Sequence, residues 1–312
     1  MKMNEALKSV AGSEDLLLED EALRDGLQME TLIFGLEEKL HLFRLLEKAG
    51  LKRIQIGSFV HPGIVPQMAD TDELVRAIGE NHKTVISALL LNEKGLERAL
   101  ACGVRHLSMS VSASDTHSRK NAGKPADEAL DSMTKLISRA TEAGVQVRAG
   151  FQCSFGCVYE GAVDPDRVMD GIGRMAQAGA GEVNLADTTG MADPYSIRRL
   201  VDRARTEIPG VGISLHLHDT SGLGLANMFA GYEAGVRTFD VAAGGLGGCP
   251  FVKGAAGNVP TEDAVHMFES MGVKTGIDMD ILCDVVDVLE SRLGRALPGR
   301  MKRLVKGAVS DC

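Results

Sequence analysis

The 312-residue, 33.2 kDa chain is too long for one small sandwich or bundle and fits either two ordinary domains or one large barrel. Apolar residues make up 44 % and charged residues 25 %, a balance that gives a globular protein with a large core and excludes disorder and collagen-like structure. A net charge of −9 argues against nucleic-acid binding as the main role, because phosphate neutralisation needs a basic surface, although a local cluster of cations can still receive an anionic ligand.

In chain order, MKMNEALKSVAGSED carries acids and no apolar stretch, so it reads as neither a signal nor a transit peptide. The first strand is expected at LLLED, 16–20, running into EALRDGLQ. GLEEKLHLFRLLEKAG, 35–50, sets Leu36, Leu40, Phe43 and Leu46 at helical spacing and ends on Gly50, a C-cap signal. Further strands are expected at RIQIG (53–57), TVISALL (84–90), RHLSMS (105–110), QVRAGFQ (146–152), GEVNLA (181–186), GISLHL (212–217) and RTFDVAA (237–243). Amphipathic stretches between them close on Cys102–Gly103, Ala143–Gly144, Ala178–Gly179 and Ala234–Gly235, each just ahead of a strand. Ile277 to Leu293 reads as a helix, and the basic segment from Arg300 to Lys306 as a solvated helix end. No apolar run reaches the roughly 20 residues that span a bilayer, so a cytoplasmic protein with no membrane partner is expected. Six cysteines spread thinly over the chain suit free thiols; Cys153 and Cys157 lack CxxC spacing and read as buried small groups.

Eight strand–helix units with near-continuous apolar strands imply a parallel sheet covered on both faces. Eight in this length imply a TIM (β/α)8 barrel with additional C-terminal helices. A doubly wound sheet would show G-x-G-x-x-G after the first strand, and EALRDGLQ has none. No linker interrupts the pattern, so one domain over 1–312 is expected, with the barrel at about 16–275 and a helical extension at about 276–312.

In such a barrel the carboxyl ends of the strands share one mouth. Arg24 and Asp25 follow the first strand, Gln55 and Ser58 end the second, Ser108, Ser110 and Ser112 the fourth, Asp187 the sixth, and His216, His218 and Asp219 the seventh. Gly244 to Cys249 and Asn258 lie past the eighth. Period-2 alternation puts His216 and His218 on one side of a strand. Alone, that pair fits two satisfied polar residues as well as two metal ligands. Asp25 and Asn258 add a carboxylate and an amide oxygen, a donor set that suits an octahedral divalent cation such as Mg²⁺ or Mn²⁺. A cation with open positions acidifies a chelated hydroxyl and prepares cleavage of the neighbouring C–C bond. Arg24 is the candidate to stabilise the departing enolate, or to pair with a rim carboxylate, and the two roles are compatible. Cys249, in GGLGGCPF, is the candidate proton donor, although a cysteine in a glycine-rich loop, taken alone, is more often inert. His216 is a second candidate for proton transfer. His117, Arg119 and Lys120 suit either thioester phosphates or a solvated loop.

These residues sit in motifs that resemble the 3-hydroxy-3-methylglutaryl-CoA lyase family of DRE-type TIM-barrel metallolyases. The matching segments are RDGLQ (24–28), SFV with VPQM (58–68), YEG (159–161), DTTG (187–190), HLHDTSG (216–222), GLGGCPF (245–251) and KGAAGNVPTED (253–263). The resemblance implies metal ligands at Asp25, His216, His218 and Asn258, a substrate-binding arginine at Arg24 and a catalytic cysteine at Cys249. It implies cleavage of an acyl-CoA substrate to acetyl-CoA and a 3-oxo acid, and a homodimer. Arg24, Gln55, Ser58 and Asp187 are the expected substrate contacts. The chain departs from the pattern at Gln55, where the lyases carry Glu, at Ala22–Leu23, where they carry Gly-Pro, and at Asp115, where they carry Glu. The alternatives are a condensing acyltransferase of the isopropylmalate or homocitrate synthase type, against which the GGCPF loop speaks, and a non-catalytic barrel homologue suggested by Gln55.

Overall fold

The computed structural model describes residues 15–248 and 257–307. All eight expected strands are present, with ends within two residues of the apolar runs. They are β1 (Leu17–Asp20), β2 (Arg53–Ser58), β3 (Val85–Leu90), β4 (His106–Ser112), β5 (Gln146–Gln152), β6 (Glu182–Asp187), β7 (Gly212–Leu217) and β8 (Thr238–Val241). Each pairs parallel with the next in chain order, and β8 pairs back onto β1 with Leu17 opposite Thr238 and Asp20 opposite Val241. The result is a closed barrel with no free sheet edge.

The first helix shows how the outer layer forms. α1 (Leu36–Ala49) buries Leu42, Phe43 and Leu46, leaves Leu36 and Leu40 half-buried, and presents its acids to solvent. Gly50, at φ 100°, terminates it in the left-handed conformation that a side chain resists, and the Leu51 N–H closes on the Leu46 carbonyl. The outer layer continues through α2 (Thr71–Ile78), α3 (Glu93–Ala101), α4 (Asp115–Ala122), α5 (Ala126–Glu142), α6 (Pro165–Gln177), α7 (Pro194–Glu207), α8 (Gly224–Glu233) and α9 (Thr261–Ser270). The C-terminal helices are α10 (Met279–Leu293), which packs against α1, and α11 (Met301–Gly307), which buries no side chain and carries the basic segment.

The lumen corrects one expectation. The strands are not apolar on both faces: their inward positions carry charge. Arg53 forms a two-pronged pair with Glu182, both bonds 3.0 Å, and ion-pairs with Glu19 at 2.5 Å. Arg148 pairs with Glu19 at 3.1 Å, Glu21 at 2.7 Å, and Asp240. Removing such charges from water costs several kcal/mol per ion, offset only when every charge meets a partner. Burial resists ionisation of Glu19, and the Arg148 and Arg53 guanidiniums overcome it and hold the carboxyl well below its usual range. His106 is buried beside Arg53, whose NH1 lies 3.1 Å from its Nε2; burial and that guanidinium pull its pKa down to about 4. An arginine only donates, so His106 Nε2 accepts and the ring is neutral.

A second buried acidic group ties the start of the barrel to its last loop. Asp20 accepts hydrogen bonds from the Ala22 and Ala243 N–H groups, each 2.9 Å, and from the Thr261 hydroxyl at 2.6 Å. Glu262 on α9 is fully buried and accepts from the Gly244 N–H at 3.0 Å. Burial, aided by the nearby Asp263 and Asp20, lifts its pKa to about 7 against the backbone donors. A carboxyl whose folded pKa lies above its unfolded value binds its proton more tightly when folded. Its contribution is therefore fully present below the unfolded value of 4.5 and is lost as pH rises through about 7. Glu262→Gln removes that loss, so the variant should gain on the parent by roughly 3 kcal/mol between pH 4.5 and 8. Unfolding midpoints measured across that range test this, and a pH-independent difference would place the titration elsewhere.

Candidate metal centre at the carboxyl rim

The chain leaves β1 through a five-residue π-turn, Ala22–Gly26, that buries Ala22 and Leu23 and swings Arg24 and Asp25 into the mouth. Such turns interrupt regular backbone where side chains must be aimed. Across the barrel, β7 ends at Leu217, whose side chain is buried, and alternation turns His216 and His218 to the other side. Their Nε2 atoms stand 3.0 Å apart. His218 forms a bridge with Asn258, the segment that returns after β8.

Asp25 Oδ2, His216 and His218 offer ligand atoms within 4.8 Å of one another, with His218 Nε2 to Asp25 Oδ2 at 4.0 Å. Ligands about 2.1 Å from a Mg²⁺-like ion lie roughly 3 Å apart at adjacent octahedral corners and about 4.2 Å apart when opposed. The 3.0 Å between the two imidazoles matches the first value, and the 4.0 Å from His218 to Asp25 approaches the second. Asn258 donates to Asp25 Oδ2 at 2.8 Å and to the Leu246 carbonyl at 3.1 Å, leaving its buried Oδ1 without a partner among the described residues. Asparagine oxygen and nitrogen exchange places by a half-turn of the amide, so this side chain too can turn an oxygen to a cation. Gly247, at φ 113°, makes room: a Cβ there would lie 2.6 Å from Asn258 Nδ2 and 3.1 Å from Asp25 Oδ2.

The protonation states of Asp25 and His218 suit ligation, and at His216 a cation competes with a proton. Burial pushes the Asp25 carboxyl up, but the charges of Arg24, His216 and His218 and the Asn258 amide carry it down to about 2. Burial and the neighbouring His216 pull His218 down to about 4, leaving it a neutral donor. His216 is buried, which disfavours its charged form, yet the Asp240 hydrogen bond and the Glu21, Asp240 and Asp25 charges lift its pKa. Its Nδ1 faces Asp240 Oδ2 at 3.2 Å and Glu21 Oε2 at 3.6 Å. Two carboxylates on Nδ1 hold a proton there and direct the Nε2 lone pair into the mouth, the arrangement by which outer carboxylates orient a ligating imidazole. A second grouping, Glu21 with His216 and Asp240, also has ligand spacing. Its carboxylates already meet Arg24 and Arg148, so the open position is the one between the two imidazoles.

Arg24, Asp25, Gln55, His216, His218 and Asn258 thus converge. Arg24 donates from Nε to Gln55, from NH1 to Asp25 and from NH2 to Glu21, which is the rim pairing expected of it, and among the described residues two of its five N–H groups remain for a ligand. Ser58 and Asp187 join no hydrogen bond of this cluster. The Ser58 hydroxyl is buried without a partner among the described residues. Asp187 Oδ1 instead accepts from the Met191 and Ala192 N–H groups, fastening its own loop, while Oδ2 has no partner among the described residues. Cys249 lies outside the described residues. His117 is buried within α4, leaving Arg119 and Lys120 at the surface, where Arg119 pairs with Asp115 and Lys120 lies over the Tyr159 ring. Glu21, Arg148 and Asp240 are additions that the sequence reading missed. Arg148 and Asp240 were each a lone charge inside an apolar strand run, and Glu21 was the last of three acids that close the first strand.

A closed parallel barrel with a carboxylate, two imidazoles and an amide at its carboxyl rim defines a βα-barrel of enzyme type. The HMGL-like family model matches residues 16–289. An (R)-citramalyl-CoA lyase from Chloroflexus aurantiacus is 39 % identical over 295 residues, covering 91 % of this chain and 93 % of that protein. A hydroxymethylglutaryl-CoA lyase from Bacillus subtilis is 36 % identical over 285 residues, covering 91 % and 95 %. The structure of an HMG-CoA lyase from Acinetobacter baumannii, in complex with coenzyme A and 3-methylmalate, superposes with a TM-score of 0.87 at 34 % identity over 93 % of this chain and 95 % of that one. The chain belongs to the HMGL-like family.

Calorimetric titration with Mn²⁺ should show one ion per chain, lost in His218→Ala and weakened at least about tenfold in Asn258→Ala. A parent protein that binds no ion would remove the centre.

Proposed function

We propose that this protein is a divalent-metal-dependent carbon–carbon lyase that cleaves a 3-hydroxy-3-methylglutaryl-CoA-like thioester to acetyl-CoA and an oxo acid. The observation that carries the reading is the set of Asp25, His216 and His218 ligand atoms within 4.8 Å at the barrel rim, in a chain whose relatives are named as lyases of such thioesters. Asp25, His216, His218 and Asn258 would hold Mg²⁺ or Mn²⁺. A cation there supplies a Lewis acid that lowers the pKa of a chelated hydroxyl.

The remaining roles fall to the chain's own groups. Cleavage breaks the bond between the carbinol carbon and the thioester's α-carbon. The electron pair stays on the α-carbon as an enolate, and the carbinol becomes a carbonyl. The two free N–H groups of Arg24 stabilise the enolate oxygen. Cys249 gives its thiol proton to the α-carbon. Burial raises the Asp187 carboxyl to about 6 against its backbone donors, which suits the uptake of the hydroxyl proton at its unpartnered Oδ2. With Nε2 turned to the cation, His216 serves as a ligand in preference to a base. Ser58 and Gln55 border the substrate from the end of β2.

The 39 % relative favours one variation in substrate. A carbinol carbon that carries a carboxymethyl group yields a 3-oxo acid, and one that carries a carboxylate directly, as in citramalyl-CoA, yields a 2-oxo acid. A homodimer in the cytoplasm is the setting we propose for either; no helix among the described residues is long and apolar enough to cross a membrane.

Incubation with 3-hydroxy-3-methylglutaryl-CoA and citramalyl-CoA, with and without EDTA, should release acetyl-CoA from at least one, only while the ion is present. Release of free CoA from acetyl-CoA plus 2-oxo acids would instead show a condensing enzyme. Cys249→Ala should lower turnover by about 10²–10⁴-fold while Mn²⁺ affinity is kept; undiminished turnover would remove the cysteine from the reaction.

A further inference from the structure

The mouth contains a neutral residue, Gln55, one hydrogen bond away from a buried carboxylate, Glu21. Gln55 accepts from Arg24 Nε and donates from Nε2 to Glu21 Oε1 at 2.8 Å. Glu21, fully buried, also accepts from Arg24 NH2 through Oε2, takes Arg148 NH2 on Oε1 at 2.7 Å, and reaches His216 Nδ1 at 3.6 Å. One carboxylate therefore touches the guanidinium that faces the substrate and the outer nitrogen of a metal-facing imidazole. Gln55 bridges these groups without adding charge.

We propose that Glu21 is a positioning residue, and that Glu21 and Gln55 act as a carboxylate–amide pair whose two members can be exchanged. The site needs one carboxylate and one amide across this contact. Two carboxylates would face each other at the 2.8 Å now spanned by an N–H···O bond, and like charges at that distance cannot both ionise. Two amides would leave Arg24 and Arg148 with one anion fewer beside a cation site, and His216 Nδ1 with only Asp240. Exchange of the two side chains preserves the pair with its hydrogen bond reversed: an amide at position 21 donates to a carboxylate at position 55, which still accepts from Arg24 Nε. One arginine contact at position 21 is lost, because an amide has a single oxygen where the carboxylate has two.

The kinetic arm of the proposal rests on the lyase reading, and the metal arm does not. Glu21→Gln, Gln55→Glu and the double exchange are compared with the parent for kcat, KM, Mn²⁺ affinity and thermal midpoint. Each single variant should lose about 10–100-fold in kcat, with a smaller change in KM, and Glu21→Gln should bind Mn²⁺ about tenfold more weakly. The double exchange should recover at least about tenfold over either single variant in kcat and restore Mn²⁺ affinity. Rescue of both readouts together is not produced by a residue that merely supports the fold. A double variant as impaired as the product of the two singles overturns the proposal, as does parental turnover and Mn²⁺ affinity in Glu21→Gln. If Glu21→Gln does not fold, the comparison of Gln55→Glu with the double exchange decides: a more active double supports the pair, and an equal or poorer one overturns it. If the parent cleaves neither thioester, the lyase reading fails on its own, and Mn²⁺ affinity across the same variants still decides the pair.

Discussion

Two imidazole nitrogens held 3.0 Å apart set the terms for the groups around them. Both cannot carry a proton into that gap, and both cannot be cations at that spacing. The protein resolves the conflict from outside. Carboxylates on the far side of His216 fix its proton at Nδ1, while burial keeps His218 neutral. When the His216 proton is confined to Nδ1, a pair of lone pairs faces a common point, with Asp25 ionised beside it. A small cation or a shared proton stabilises an electron-rich gap of this kind.

The lumen holds this arrangement in place. Arg148, on β5, reaches Glu19 on β1, Glu21 just beyond it, and Asp240 on β8. The residues that orient His216 are thus anchored to the far wall of the barrel, and Asn184 of β6 adds a second tether to Asp240 at 3.1 Å. Buried ion pairs contribute little net stability, since their attraction mostly offsets the cost of drying the charges. Their effect here is positional. A greasy lumen would pack as well but could not fix the tautomer of a histidine from behind. The fold and the site therefore share one network, whose upper layer is the catalytic rim and whose lower layer, Arg53 with Glu19 and Glu182, closes the barrel floor.

Much of this was legible in the sequence because its signals are local. An apolar run of four to seven residues followed by a helical stripe and a glycine stop marks a strand–helix unit without knowledge of its neighbours. The His216–His218 alternation and the position of Arg24–Asp25 beyond β1 needed only the rule that strand ends converge. Glu21, Arg148 and Asp240 needed more. Whether a charge in a parallel strand enters the lumen or lies at the edge of the helix layer depends on register, and register depends on closure of β8 onto β1. No window of sequence contains that pairing. Asp187 shows a strand-end side chain divided between two surroundings: one of its oxygens fastens the turn at Met191 and Ala192, and the other has no partner among the described residues. His117 misled for a different reason, since a polar stretch read as a loop is the helix α4, with that ring on its buried face.

Charge balance at the rim links the lumen and the metal centre. Glu19, Glu21, Asp25, Glu182 and Asp240 share three guanidiniums, Arg24, Arg53 and Arg148, so two negative charges are left over in the network behind the imidazoles. A buried excess of that kind is costly unless a cation joins it or a proton neutralises it. Burial and the neighbouring Asp240 already push the Glu21 carboxyl to about 7, so a proton is the competitor for the same deficit. A divalent ion carries the two charges that balance it. The carboxylate count at the rim, and with it the position of Glu21, therefore bears on the metal as directly as the ligands do.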